Sequence, residues 1–195
     1  MPEPRYQQVE ETMSAARANV YAILFLVPIF ILYVPPYLIL WQEQFALDNL
    51  KAAVKLYKTL LLFSPVVLVG VLVFGVILHE LLHGLTWAAF CKNGLKSISY
   101  GIHWKLLTPY CHCKEMLPLR AYMLGGAMPG LIMGLLPALL GLAFGNIILL
   151  LLGLFFSFAA GGDLLILWML RKYKPEDRVQ DHPDKIGCYV FVKES

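Results

Sequence analysis

The sequence predicts an all-α membrane protein: four transmembrane helices in a single integral membrane domain, with a short cytosolic β-hairpin or sheet between the second and third. Two observations carry this prediction. Of the 195 residues, 59% are hydrophobic and only 15% are charged, whereas a soluble globular domain is about 45–50% apolar and about 25% charged. Too little polar surface remains to wrap a 22.0 kDa chain in water, so the bilayer must act as much of its solvent. The apolar residues also fall into four runs, each long enough (about 20 residues) to cross a hydrocarbon core about 30 Å thick. This composition excludes a disordered chain, a nucleic-acid binder and an ordinary cytosolic enzyme.

The first run covers about 18–41 and contains Pro28, Pro35 and Pro36, which are expected to kink or break it. The second covers about 65–90, the third 121–144 and the fourth 147–170. Gly145–Asn146 reads as a tight turn that makes the last two a helical hairpin. The insertion 91–120 alternates roughly over Ser97–Leu107, breaks at Thr108–Pro109 and resumes over Tyr110–Glu115, the pattern of short strands. Two readings stay open for the tail 171–195: a solvated segment, or one whose Asp181–Val192 stretch ends in a strand joining that hairpin. Before the first run, Glu3, Glu10 and Glu11 mix with Arg5 and Arg17, and the apolar run that follows is too long for an h-region, so no cleavable signal peptide is expected.

Basic residues set the orientation. Thirteen of the 16 lysines and arginines lie before the first run, in the insertion or in the tail, and only Lys51, Lys55 and Lys58 lie on the opposite side. The positive-inside rule then places both termini and the insertion in the cytoplasm, with a prokaryotic cell membrane as the expected location. Tyr21, Trp41, Trp104 and Tyr173 sit near run ends, as an interfacial aromatic belt would. The cysteines (Cys91, Cys111, Cys113 and Cys188) are too few for a disulfide scaffold and are expected to be reduced. Cys111-His112-Cys113, with His103 nearby, could offer soft-metal ligands, but successive strand residues point to opposite faces, so ordinary strand residues are the favoured reading.

The second run contains His79-Glu80-Leu-Leu-His83, an H-E-x-x-H sequence. On a helix, residues i and i+4 project from one face, so His79 and His83 can chelate one Zn²⁺, and Glu80 can activate a zinc-bound water and pass its proton to a leaving amine. A catalytic zinc needs a further protein ligand. Glu80 and Asp163 are the only acidic residues inside the four runs, which hold no lysine or arginine, and intramembrane ionisable groups are costly enough to be functional by default. Depth agrees as well. His79 and His83 lie about 21 and 27 Å past Pro65, and Asp163 about 24 Å past Ile147, at 1.5 Å per residue. Gly161 and Gly162 are expected to let this backbone approach the histidine helix closely.

His79-Glu-Leu-Leu-His-Gly84, Gly101-Ile-His-Trp with Thr108-Pro-Tyr110 after it, and Gly161-Gly-Asp163 together resemble the Putative zincin peptidase family. These are small integral membrane proteins similar to site-2 proteases, the intramembrane zinc metalloproteases. The likeness runs from about residue 70 to 192. It implies zinc on His79, His83 and Asp163, with Glu80 as general base. In site-2 proteases the aspartate typically precedes a glycine in an Asn/Pro-rich motif, whereas here two glycines precede Asp163. The expectation is a zinc metallopeptidase that hydrolyses peptide bonds of membrane-associated proteins or peptides. Its partners would be that substrate and the lipid bilayer, with no nucleic acid, and homo-oligomerisation is left open. The alternative is a non-catalytic metal-binding or metal-handling membrane protein using the same ligands, and a third reading treats the polar cluster as helix glue.

Overall fold

A computed structural model describes residues 6–58, 62–103, 108–183 and 185–193. The chain opens with a strand, β1 (Tyr6–Met13), and enters the first long helix, α1 (Ala15–Leu40), at Ser14, whose hydroxyl accepts the Arg17 N–H at 3.4 Å. Pro28, Pro35 and Pro36 lie inside α1, which runs on through them, so of the expected kink or break the break does not occur. Carbonyls freed by proline in a membrane helix can be satisfied by neighbouring groups. After a short 3₁₀ turn comes α2 (Leu47–Leu56), a small amphipathic helix with no buried residue. The second long helix, α3 (Ser64–Ala88), starts with proline at a position where the missing N–H costs nothing.

The 91–118 segment forms β2 (Ile98–His103) and β3 (Thr108–Cys113), an antiparallel pair, followed by the two-residue β4 (Leu117–Pro118). Thr108 and Pro109 belong to β3 and do not break the pattern. Lys114 N–H bonds the Ser97 carbonyl, so even-numbered residues face β2 and the missing N–H of Pro109 falls on the outer edge. Residues 104–107, including the expected belt residue Trp104, lie outside the described set.

The third apolar stretch is α4 (Leu119–Pro129), a π-helical segment (Gly130–Leu135) and α5 (Leu136–Phe144) in one continuous run. Gly145 closes α5 at φ +64°, and the Asn146 side chain then caps α6 (Ile147–Ala159) by accepting from Ile148 and Leu149 N–H, so the expected turn is present. The carbonyls at the end of α5 find partners on α1 and the turn that follows it. Tyr37 and Gln44 both donate to the Gly145 carbonyl at 2.8 Å, and Trp41 Nε1 donates to Leu142 at 2.8 Å.

The fourth stretch departs from the single straight helix expected. It bends by 51° at Ala160 between α6 and α7 (Gly161–Leu170). Ala160 meets the π-helical segment at Gly130, and one turn earlier Ser157 packs on Gly134, so the break sits where the neighbouring helix is itself irregular. Among the described residues, α1, α3 and the α4–α5 run are each long and apolar enough to cross a membrane, and the bent α6/α7 pair makes a fourth crossing if counted as one span. Their outward side chains, such as Leu24, Ile31, Val66, Val69 and Phe74, are more than half exposed, which is favourable only where the solvent is apolar.

The tail does contain strands, β5 (Arg178–Asp181) and β6 (Ile186–Lys193), but they do not join the hairpin. They form a four-stranded antiparallel sheet in the order β1-β6-β5-β4, with Tyr6 opposite Lys193 and Met13 opposite Ile186. The N-terminal strand was unforeseen, and it is the partner that takes the tail from the hairpin. Because this sheet joins segments before α1, before α4 and after α7, all three lie at one end of the helices. Buried Leu117, Tyr122, Val179, Cys188 and Val190 knit the sheet to the bases of α3, α4 and α7.

Candidate metal centre

α3 carries the H-E-x-x-H sequence through its last three turns, and the i, i+4 spacing stacks the two imidazoles with ring centroids 4.9 Å apart. Their Nε2 atoms are 3.2 Å from one another. Asp163, in the first turn of α7, reaches both: Oδ2 is 3.1 Å from His79 Nε2 and Oδ1 is 3.3 Å from His83 Nε2. The 51° change of direction comes three residues before Asp163 and sets the angle at which its carboxylate meets the histidines. Among the described residues this is the one group of three or more metal-ligand side chains whose ligand atoms lie within 4.8 Å of one another.

His83 is held from three sides. Its Nδ1 lies 2.8 Å from the Gly125 carbonyl of α4, so Nδ1 donates there and, in the neutral ring, Nε2 keeps its lone pair. Its ring stacks on Trp87, one turn on, at 5.2 Å and 16°, and Trp87 stacks on Tyr122 at 5.3 Å and 17° while donating Nε1–H to the Tyr122 carbonyl at 3.0 Å. This close packing depends on Gly125, where a Cβ would lie 2.0 Å from Trp87 Nε1. Gly162, expected to serve close approach, faces open space. Gly161 beside it is buried, and on α4 it is Gly125 that lets a neighbouring helix reach His83, through its backbone carbonyl.

The donor chemistry fits a metal ion. The two Nε2 atoms lie 3.2 Å apart and each is 3.1–3.3 Å from a different oxygen of Asp163, so two imidazoles and one carboxylate face a common centre that a shared cation would satisfy. Zinc bonded at about 2.0–2.1 Å in a tetrahedron separates its ligands by about 3.3 Å. The centre is closed behind His83, whose side chain is 6% exposed, and open toward His79 and Asp163 at 15% and 23%. That asymmetry leaves one side for a further ligand.

Glu80 is half-buried and within electrostatic range of His79, His83 and Asp163, and its carboxylate reaches the Cys111 backbone of β3. The hairpin lies on this part of α3: a Cβ at Gly84, one turn below Glu80, would strike the Tyr100 hydroxyl and Ile98. Asp181 of β5 joins the assembly from the sheet, accepting from Cys113 N–H at 2.7 Å and from the Tyr122 hydroxyl, with His112 Nδ1 at 3.7 Å. Burial pushes its carboxyl up, opposed by those two hydrogen bonds. Cys111, His112 and Cys113 supply no such cluster. Burial lifts the Cys111 and Cys113 thiols, the latter to about 12, which leaves them protonated strand residues. Sequence reasoning did not single out Trp87, Gly125, Tyr122 or Asp181. Trp87 was open to discovery, since it continues the i, i+4 row of His79 and His83, whereas a backbone carbonyl and a tail carboxylate leave no sequence mark.

No curated protein and no solved structure matches the chain. Residues 72–177 match the sequence profile of the family described as "Putative zincin peptidase", which implies a zinc-bound peptidase centre and spans α3 through the residue before β5. The stretch covers more than half of the chain and contains all three residues of the cluster and their neighbour Glu80, and on that match the chain belongs to this family.

Proposed function

We propose that the protein is a membrane-embedded zinc metallopeptidase, with His79, His83 and Asp163 as metal ligands and Glu80 as general base. The observation carrying this reading is the convergence of His79, His83 and Asp163, whose ligand atoms all lie within 4.8 Å of one another and whose contacts of 3.1–3.3 Å are near the roughly 3.3 Å edge of a tetrahedral zinc site, in a family of zincin type. When bound, zinc supplies a Lewis acid that polarises a carbonyl and makes water easier to deprotonate. Glu80 takes the proton from the attacking water and delivers it to the leaving amine. Trp87 and the Gly125 carbonyl keep the His83 ring in one orientation and one tautomer, so the ligand set is organised before the metal arrives.

The substrate is an extended segment of a membrane-associated protein or peptide. β3 offers its outer edge, where the Cys113 N–H is already taken by Asp181 and the Cys111 backbone lies beside Glu80. A segment pairing at Cys111 would expose its peptide bond to the base, whereas a transmembrane helix hides its own. With the basic residues as guide, the sheet and hairpin face the cytoplasm of a prokaryotic cell, and the centre lies toward that side of the bilayer.

The test is zinc analysis and cleavage of a membrane-anchored peptide library by the purified protein. Glu80→Gln should keep one zinc per chain and lose cleavage by at least about a hundredfold. His79→Ala should lose both. Full cleavage by Glu80→Gln, or a wild-type protein without zinc after purification in its presence, overturns the proposal.

A further inference from the structure

Cys91 and Cys113 lie outside the metal centre, with their sulfurs 3.4 Å apart. Cys91 follows the end of α3, and its N–H is tied to the Trp87 and Ala88 carbonyls. Cys113 ends β3, with its N–H on Asp181. The turn between them is fastened by Glu115, whose carboxylate accepts from Lys92 and Asn93 N–H at 2.9 and 3.1 Å and from the Ser97 hydroxyl. Both backbones are therefore held, and the sulfurs, 3.4 Å apart, must approach to the roughly 2.05 Å of a disulfide. Cys91 is half-buried and accessible to a small reagent, whereas Cys113 is buried behind it. Cys111 and Cys188 have no sulfur partner of this kind among the described residues: Cys111 is engaged with Tyr100, and Cys188 is buried on β6.

We propose that Cys91 and Cys113 form a reversible dithiol–disulfide site whose oxidised state pins the outer strand of the hairpin to the base of the metal helix. The co-reactant is a low-molecular-weight disulfide. The Cys91 thiolate attacks one of its sulfurs, forming a mixed disulfide and releasing one small thiol. Cys113 then gives up its proton, attacks the Cys91 sulfur, closes the protein disulfide and expels the second small thiol. The two cysteines lose two electrons and two protons, and the small disulfide gains both and becomes two thiols. Burial, which holds Cys113 at about 12, makes the more accessible Cys91 the point of attack and the second step the slow one. The crosslink joins a residue four positions after Trp87 to one two positions after Cys111, whose backbone bonds the Glu80 carboxylate.

The test uses the full chain in detergent micelles with zinc retained, treated with oxidised glutathione and then with dithiothreitol. Peptide mapping should find a Cys91–Cys113 disulfide, with two of the four thiols lost and both recovered on reduction. Amide hydrogen exchange across 108–113 should slow at least tenfold in the oxidised protein. Cys91→Ser should abolish both changes, and Cys188→Ser should leave both intact. Failure of the folded protein to form this disulfide, formation of a different pair, or a mapped Cys91–Cys113 disulfide with unchanged exchange would each overturn the proposal.

Discussion

At the scale of single residues, the centre is built by one aromatic stack and one absent methyl group. His83, Trp87 and Tyr122 form a continuous column, and it fits against α4 only because residue 125 has no side chain. Gly125→Ala should push the Trp87 indole aside, costing about 1–3 kcal/mol of stability through overpacking. It should also weaken zinc binding, because the His83 ring loses its support. Thermal unfolding in micelles and a zinc titration with a fluorescent competitor measure the two effects. The three side chains that cluster, His79, His83 and Asp163, were legible in the sequence, since an ionisable side chain in a hydrocarbon-spanning run is costly to place there without a purpose. The residues that orient them were not. Gly125 acts through its carbonyl and its lack of Cβ, neither of which distinguishes it from the other glycines of that run.

At the scale of elements, the bent α6/α7 pair shows how a wrong element can still give the right neighbour. Depth counted along an unbroken helix brought Asp163 level with the histidines, and the two elements do meet there. The break lies only three residues before Asp163, so the error in axial rise is small and the bend mainly alters direction. The tail failed differently. Its strands were legible from composition, but their partner is β1, about 170 residues earlier, and alternation within one segment says nothing about which edge it will meet. The turn linking α3 to β3 offers a prediction of its own. The Ser97 hydroxyl, then the N–H groups of Lys92 and Asn93, hold the Glu115 carboxyl below its ordinary 4.5. A carboxyl lowered on folding stabilises the fold above 4.5, and the contribution disappears as pH falls through the lowered value. Glu115→Gln should therefore melt earlier than wild type at pH 7, and the two curves should converge as pH falls from 4.5 through the lowered value. A pH series of melting temperatures checks this.

At the scale of the whole molecule, the sheet and the basic residues agree through independent physics. Hydrogen bonding joins the segments before α1, before α4 and after α7 at one end of the helices, and the same three segments carry most of the lysines and arginines. Reporter fusions at both termini should accordingly read as cytoplasmic, while a reporter inserted within α2 should read on the opposite side. A split result would overturn the orientation. Four apolar runs could be counted from the sequence because hydrocarbon thickness fixes their length. The four-stranded sheet could not, since it is held by pairings between segments that each look marginal alone. That long-range pairing also imposes an order on biosynthesis. β1 emerges first, but its partner β6 follows all the apolar helices. At about 5–20 residues per second, the strand waits roughly 10–35 s for its mate. Throughout that interval the helices must insert beside an unpaired edge, and any arrest of translation before residue 186 leaves that edge free to recruit another nascent chain.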